Sequence, residues 1–256
     1  MRLVRVEHDG GPRWAVVDGT TLGLIEDPWP GGAVATGERV PLKGARLLAP
    51  ATPMNVVGMA HNTGSADREL PAQAFLKPAR ALTGPGSAIP IPQGIGRVDA
   101  EAELAVVIGR TARHLTPQDA PRHVLGFTLA NDVTARDLQG SDPLWTRAKG
   151  FDCWTPLGPW VETALDLSDV QLTLSINAVP LESASTANLG RNVVEVLVYI
   201  TSFMTLGPGD VVLTGAPGAV GRIRPGDRVS ASSPLLGRLE NTVAAEPVLA
   251  AAGAAS

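Results

Sequence analysis

A mainly β fold with a few helices, of the α+β class, is what this sequence predicts, and three observations predict it. The 28 glycines and 22 prolines exceed the roughly 12% of ordinary usage and are scattered as turn signals rather than gathered in one tract. That pattern favours many short strands. Between the turns lie apolar runs of strand length, of which Val170-Gln-Leu-Thr-Leu-Ser-Ile176 alternates most cleanly. Helical spacing is sustained at Val193, Val196, Leu197, Ile200, Phe203 and Met204, with Gly207-Pro208 as the stop.

Taken in order, residues 1–48 predict a small β-rich N-terminal domain. Trp14–Val17 and Leu22–Ile25 are strands joined across Asp18-Gly19-Thr20-Thr21, and Asp-Gly between apolar runs is a strong hairpin signal. Residues 28–37, rich in Gly and Pro, are its least ordered part. Residues 49–245 form the second domain, and the Ala-rich end from Ala244, residues 246–256 above all, reads as a frayed tail. Val56-Val57-Gly58 ends a buried strand, and the polar segment from Met59 to Pro71 has the composition of a mobile lid. Phe75-Leu-Lys77-Pro78 then resumes an ordered edge. Thr116 as cap, Pro117 at the first helical position and Asp119 as capping-box acid predict a short helix to about Val124. Leu125–Ala130 is β-rich and leaves Asp132 at a strand terminus. A turn at Asn177-Ala178 returns the alternating strand into Val179-Pro-Leu181, and Pro208-Gly-Asp210 and Pro225-Gly-Asp227 each precede a further strand.

Composition excludes several function classes. A net charge of −4 with no basic, aromatic-interleaved patch argues against a nucleic-acid partner. Cys153 is the single cysteine, so neither an intramolecular disulfide nor a cysteine metal site can form, which suits a reducing compartment. No signal-type apolar region opens the chain and no run is long enough to span a bilayer. The expectation is a soluble cytoplasmic protein without a membrane partner.

The chemistry centres on Asp99-Ala-Glu101-Ala-Glu103-Leu-Ala-Val-Val-Ile-Gly109. On a strand, Glu101 and Glu103 point the same way, and two like charges side by side repel unless well solvated or bridged by a cation. Asp132, about thirty residues on at another strand end, adds a third carboxylate. Spacing alone leaves two readings open: a solvated acidic face, or an all-oxygen cage for Mg2+, Mn2+ or Ca2+. Arg136, Gln139 and Lys149 stand nearby. Three acids on a dication, a fork-shaped donor and an ammonium together make a site for a small anionic substrate that chelates the metal.

These residues lie in longer motifs. Asp99 to Gly109, Gly126-Phe-Thr-Leu-Ala-Asn-Asp-Val-Thr-Ala-Arg-Asp137, Lys149-Gly-Phe-Asp-Cys-Trp-Thr-Pro-Leu-Gly-Pro159, Leu206-Gly-Pro-Gly-Asp210 and Thr214-Gly-Ala-Pro-Gly218 follow one another in an order that resembles the fumarylacetoacetate hydrolase family. The resemblance runs from about Leu47 to Val243, and the leader resembles the small N-terminal domain of many bacterial members. It implies a mixed β-sandwich roll, a homodimer, Glu101, Glu103 and Asp132 as divalent-metal ligands, and Lys149, Arg136 and Gln139 as substrate-facing groups. The chain also departs from the family pattern. Where members carry Gly-x-Asn-Tyr-x-x-His with an acid three residues later, it has Gly58-Met-Ala-His61-Asn-Thr-Gly64. His61 is the candidate substitute, with Glu69 as a possible orienter, against plain solvent exposure. The family's Thr-Gly-Thr-Pro becomes Thr214-Gly-Ala216-Pro217, losing a hydroxyl.

The expected activity is metal-dependent chemistry on a small 2-oxo or enolisable dicarbonyl carboxylate. C–C hydrolysis of the acylpyruvate or fumarylacetoacetate type leads, with Lys149 and His61 as the catalytic pair. Oxaloacetate-type decarboxylation or 2-hydroxyhepta-2,4-diene-1,7-dioate-type isomerisation follows closely, because hydrolysis needs an activated water and the usual His/acid pair is displaced. From another class, the altered His61 and Ala216 positions suit a catalytically lapsed metal-dependent binding protein or assembly subunit.

Overall fold

Tight turns decide the first forty residues. Asp9-Gly10 (φ 50° and 77°) and Gly19 (φ 58°) supply the left-handed corners that two-residue hairpins need. In the computed structural model, which describes residues 1–29 and 32–246, they fold β1 (Arg2–His8), β2 (Gly11–Asp18) and β3 (Thr21–Ile25) into a meander completed by β4 (Ala35–Pro41). Pro30 and Gly31, within the stretch expected to be least ordered, lie outside the described residues.

The rest of the chain supplies β5 (Val56–Ala60), β6 (Gln73–Lys77), β7 (Ala88–Ile91), β8 (Val98–Ile108) and β9 (Val124–Asn131). Two single-turn helices follow, α1 (Arg136–Gln139) and α2 (Thr146–Lys149), then β10 (Thr155–Glu162) and β11 (Gln171–Ile176). After α3 (Val193–Phe203) come β12 (Val211–Leu213), β13 (Val220–Ile223), β14 (Arg228–Ser233) and β15 (Gly237–Ala245). The large sheet runs β4-β3-β2-β1-β10-β9-β8-β12-β5-β6, and the smaller runs through β11-β14-β15-β7. Arg2 lies opposite Glu162 and Leu3 opposite Val161, so the leader's strands continue into the main sheet. Leu104, Leu129, Leu172, Leu174 and Leu239 share one buried cluster that Leu197 and Ile200 of α3 join. Each such side chain contributes about 2 kcal/mol by leaving water. The architecture is mostly β with mixed sheets, as the turns and alternation predict.

The helix forms where its spacing says. Asn192 accepts the Glu195 N–H at 3.0 Å and Glu195 accepts the Asn192 N–H at 2.9 Å, a reciprocal cap that satisfies two otherwise orphan donors. Asn177 and Ala178 (φ 53° and 65°) make the expected reversal after β11. Two expectations fail. Residues 116–124 hold only a 3-10 turn, Ala120–His123. Thr116 does bond Asp119, but Pro121 has no N–H with which to continue a helical ladder. The frayed end starts too early as well: Ala244 and Ala245 pair with Pro90 and Ile91 in β15, and residues 247–256 lie outside the described residues.

One strand positions the site. β8 changes partners along its length: residues 98–101 pair with β13, whereas residues 102–108 pair with β9 and residues 105–107 also with β12. Glu101 and Glu103 straddle that changeover.

Candidate functional site

Alternation along β8 sends Glu101 and Glu103 to one face, and both are buried. Backbone geometry brings Asp132 level with them: its N–H donates to the Glu101 carbonyl at 2.9 Å, and the Glu101 N–H donates to Asn131 Oδ1 at 3.0 Å. One oxygen from each carboxylate lies within 4.8 Å of the others. Such crowding needs compensating charge.

Two ammonium groups supply it. Lys149 Nζ donates to Asp132 Oδ2, to Thr134 Oγ1 at 2.8 Å and to Glu101 Oε2 at 3.3 Å. Lys77 Nζ donates to Asp132 Oδ1, to the Trp154 carbonyl at 2.9 Å and to the Val133 carbonyl at 3.5 Å. Burial works against the Lys149 charge, but Asp132 and Glu101 prevail and its pKa is pushed up to about 12. Burial likewise works against the Asp132 carboxylate, yet Lys149 and Lys77 hold its pKa below the ordinary value. Burial pushes Glu103 well above the carboxylate range, and Asp132 and Glu101 push the same way. The Lys149 ammonium and then the Gly215 N–H, which donates to Glu103 Oε2 at 2.7 Å, pull the other way without offsetting that rise.

Glu103 therefore tests whether a metal fits. A buried carboxylate pressed against two others, among oxygen donors only, is under-compensated by protein groups, and a hard dication would relieve it. The three acids fit such an ion.

Arg136 reaches the cluster already paired. Its Nε donates to Asp99 Oδ2 at 2.9 Å, its Nη2 to Glu101 Oε1 and its Nη1 to Gln139 Oε1 at 2.9 Å. Asp99 in turn takes Arg97 Nε and Nη2 at 2.8 and 2.9 Å. All seven residues singled out in the sequence, Glu101, Glu103, Asp132, Arg136, Gln139, Lys149 and His61, line one cavity of about 270 Å³.

The opposite wall is aromatic. Phe75 and Trp145 lie 5.5 Å apart between ring centroids, with Lys149 Nζ 4.8 and 5.8 Å from them. Phe75 has room because residue 58 is glycine: a Cβ there would sit 2.1 Å from the Phe75 ring. His61, exposed and left-handed (φ 51°), packs edge-on to Trp145 at 5.5 Å. Ala216, where a hydroxyl was expected from the resemblance, lines the same cavity.

Glu69 does not orient His61. It lies outside the cavity lining, and among the described residues no hydrogen bond joins the two. The nearer acid, Asp67, spends its carboxylate on Thr63 N–H (2.7 Å), Thr63 Oγ1 (2.8 Å) and Gly64 N–H (3.3 Å). Nor is the segment a loose lid. Residues 65–69 form a 3-10 turn, Arg68 bonds Glu195 and the Gly190 carbonyl, and Arg191 bonds the Asp67 and Leu70 carbonyls. Asn62 is buried beneath it: Nδ2 donates to the Arg191 and Thr214 carbonyls at 2.9 and 2.7 Å, and Oδ1 accepts the Arg191 N–H at 2.7 Å.

Sequence reasoning missed Lys77, the Asp99 anchor and the aromatic wall. A signal for Lys77 existed: it shares a strand face with the buried Phe75, while Leu76 between them is exposed.

Comparison with known proteins gives the family. The family model described as fumarylacetoacetate (FAA) hydrolase C-terminal matches residues 51–244, and that described as Rv2993c-like, N-terminal matches residues 1–50. The chain belongs to the fumarylacetoacetate hydrolase family. Protein Rv2993c of Mycobacterium tuberculosis is 38% identical over 260 residues, which cover 95% of this chain and 98% of that one. The crystal structure of the 5-carboxymethyl-2-hydroxymuconate delta-isomerase from Mycobacterium smegmatis superposes with a TM-score of 0.90 at 38% identity, covering 96% of this chain and all of that one. The maleylpyruvate hydrolase from Sphingobium sp. SYK-6, solved with manganese(II) ion and pyruvate, gives a TM-score of 0.80 at 28% identity over 96% of this chain and all of that one. Members of this family are enzymes, and among them are an isomerase and a hydrolase. No helix among the described residues is long and apolar enough to cross a membrane.

Proposed function

We propose that this protein is a Mg2+- or Mn2+-dependent enzyme that moves a proton on a small, enolisable 2-oxo carboxylate, isomerising it. One observation carries the reading: three buried carboxylates converge within 4.8 Å beside two buried ammonium groups, at the floor of a 270 Å³ cavity. With all five groups ionised the floor bears one net negative charge. A dication held by Glu101, Glu103 and Asp132 would turn that to one net positive charge, which suits a monoanionic chelating group. When bound, the ion would supply Lewis acidity toward the 2-oxo carboxylate.

The chain's own residues do the rest. Lys149, kept protonated, donates toward the oxygen on which negative charge develops. Arg136, steered by Asp99, and Gln139 address the carboxylate end by exchanging a protein partner for substrate. His61 at the mouth is the imidazole available to carry the proton. Phe75 and Trp145 exclude water from the Lys149 side.

Hydrolytic C–C cleavage is the second reading, favoured by the presence of an imidazole in the cavity and by the similarity to a maleylpyruvate hydrolase. It ranks below isomerisation because cleavage needs an activated water, and among the described residues no carboxylate hydrogen-bonds His61 to prepare it for that work. Solvent-deuterium exchange followed by NMR on oxaloacetate and acylpyruvates, with Mn2+ or chelator, separates the two. Exchange beside the 2-oxo group without loss of the carbon skeleton is expected. Fragment acids appearing at the rate of exchange would establish hydrolysis, release of CO2 would establish decarboxylation, and Mn2+ binding without exchange or products would leave a binding protein.

A further inference from the structure

Asp132 is gripped from both sides, and the two grips differ in kind. On Oδ2 sits Lys149, whose other partners, Glu101 Oε2 and Thr134 Oγ1, are side chains and whose ammonium lines the cavity. On Oδ1 sits Lys77, whose side chain has no exposure and whose other partners are the main-chain carbonyls of Trp154 and Val133. All three Lys77 partners are acceptors, so its three N–H groups are fully used, and two of the three lie on backbone that cannot turn away. Lys149 can yield its oxygen; Lys77 cannot.

We infer that Lys77 is a positioning residue that holds Asp132 to one free oxygen and thereby sets the site's preference for small dications over Ca2+. The inference rests on the metal-dependent reading above. Ca2+ takes six to eight oxygens and readily accepts a bidentate carboxylate, whereas Mg2+ and Mn2+ suit octahedral sets of single oxygens. With Oδ1 reserved by Lys77, Asp132 offers only Oδ2, the oxygen Lys149 gives up. The cage then presents few protein oxygens and penalises the larger ion. Because Mn2+ and Ca2+ carry the same charge, their affinity ratio cancels the electrostatic repulsion both feel from Lys77 and isolates its geometric effect.

The test is calorimetric titration of Mn2+ and of Ca2+ into substrate-free wild type, Lys77→Met and Lys77→Arg. Wild type should prefer Mn2+. In Lys77→Met the ratio of Ca2+ to Mn2+ dissociation constants should fall about tenfold or more, the range in which removal of a group that orients a ligand acts. Lys77→Arg, which keeps the donors, should retain most of the preference. An unchanged ratio in a folded Lys77→Met overturns the inference while leaving the metal site standing. Absence of any divalent binding in wild type overturns the proposed function itself, and this inference with it. Should Lys77→Met not fold, a crystal structure of Mn2+-loaded wild type decides the same point. Asp132 bound through Oδ2 with Oδ1 still on Lys77 is the expected result; both oxygens on the metal, or Lys77 withdrawn, overturns it.

Discussion

The acidic floor and the His61 rim face one cavity, yet they are built on different principles. Glu101, Glu103 and Asp132 are positioned by main-chain pairing: β8 alternates, β9 lies beside it, and the Asp132 N–H closes onto the Glu101 carbonyl. The rim from His61 to Leu70 is positioned by side-chain ties, chiefly Asn62, Arg68 and Arg191. A floor set by backbone ladders is stiff and keeps strained chemistry, such as the raised Glu103 carboxyl, in place. A rim set by side chains can be retuned by single substitutions without disturbing the floor. The departure that the resemblance marks at His61 falls on this rim, where such retuning would be tolerated, whereas Ala216 is buried beside Gly215, whose N–H holds Glu103.

The largest effect should come from breaking the floor chemically while leaving its shape. Glu103→Gln keeps an acceptor for the Gly215 N–H and removes the under-compensated charge. Turnover should fall by about 10³, the several kcal/mol a metal contributes, while the metal-free protein gains thermal stability because a buried like charge is gone. Paired kinetics and melting curves read both signs. A variant that loses activity and melts lower would mean that Glu103 is a structural residue.

Gly215→Ala strikes floor and rim together. Gly215 has φ +104°, and a Cβ would lie 2.1 Å from the Asn62 carbonyl oxygen, so neither the conformation nor the space admits a side chain. A loss of about 3 kcal/mol is expected by denaturant titration. Since the Gly215 N–H also holds Glu103, Mn2+ affinity should drop in the fraction that remains folded. A neutral substitution would show that the two walls are less tightly joined than the contact implies.

Asn62→Ala sharpens the contrast by loosening the rim alone. It strands the Arg191 N–H and the Thr214 and Arg191 carbonyls in a buried setting, at a cost of about 2 kcal/mol. Mn2+ affinity should stay within a few-fold of wild type while kcat falls, because His61 is the adjacent residue. Equal losses in metal binding and kcat would erase the distinction between floor and rim.

The same distinction explains what the sequence made legible. Strand period and turn chemistry are local, so the paired glutamates, the terminal Asp132, the Asn192-capped helix and the Asn177-Ala178 reversal could be read directly. For Lys77 the local signal, a strand face shared with Phe75, reaches only as far as burial; its partner Asp132 is 55 residues away, and a lysine before a proline at a strand end reads as a solvated edge. The failed helix at residues 116–124 shows the opposite weakness: Thr116, Pro117 and Asp119 are sound start signals, but Pro121 inside the span removes a donor that the helix needs. Glu69 stays apart from His61 because the 3-10 turn presents Asp67 to Thr63 and Gly64, and among the described residues no hydrogen bond joins Glu69 to His61. Arg136 was expected to face substrate, and its engagement with Asp99 and Glu101 depends on a β8–α1 contact that only folding reveals.

The smallest effect expected is at the rim's outer tie, and pH exposes it. Arg68 donates to Glu195 Oε1 at 2.6 Å and to Oε2 at 3.2 Å, but both side chains are largely solvated, so Arg68→Ala should lower stability only slightly, and less in high salt. The bond to Arg68, followed by the Asn192 N–H, holds the Glu195 carboxyl below its ordinary 4.5. The unfolded chain therefore takes up the proton first. The stabilisation is fully present above that ordinary value and is lost as pH falls through the lower folded one. Wild type should converge on Arg68→Ala in stability on acidification, with most of the difference present at neutral pH. Melting curves at pH 7 and pH 3, at low and high salt, measure it. A difference that persists undiminished at pH 3 would assign the effect of Arg68 to its second bond, the one to the Gly190 carbonyl at 2.7 Å, and would make the rim's anchorage a matter of backbone after all.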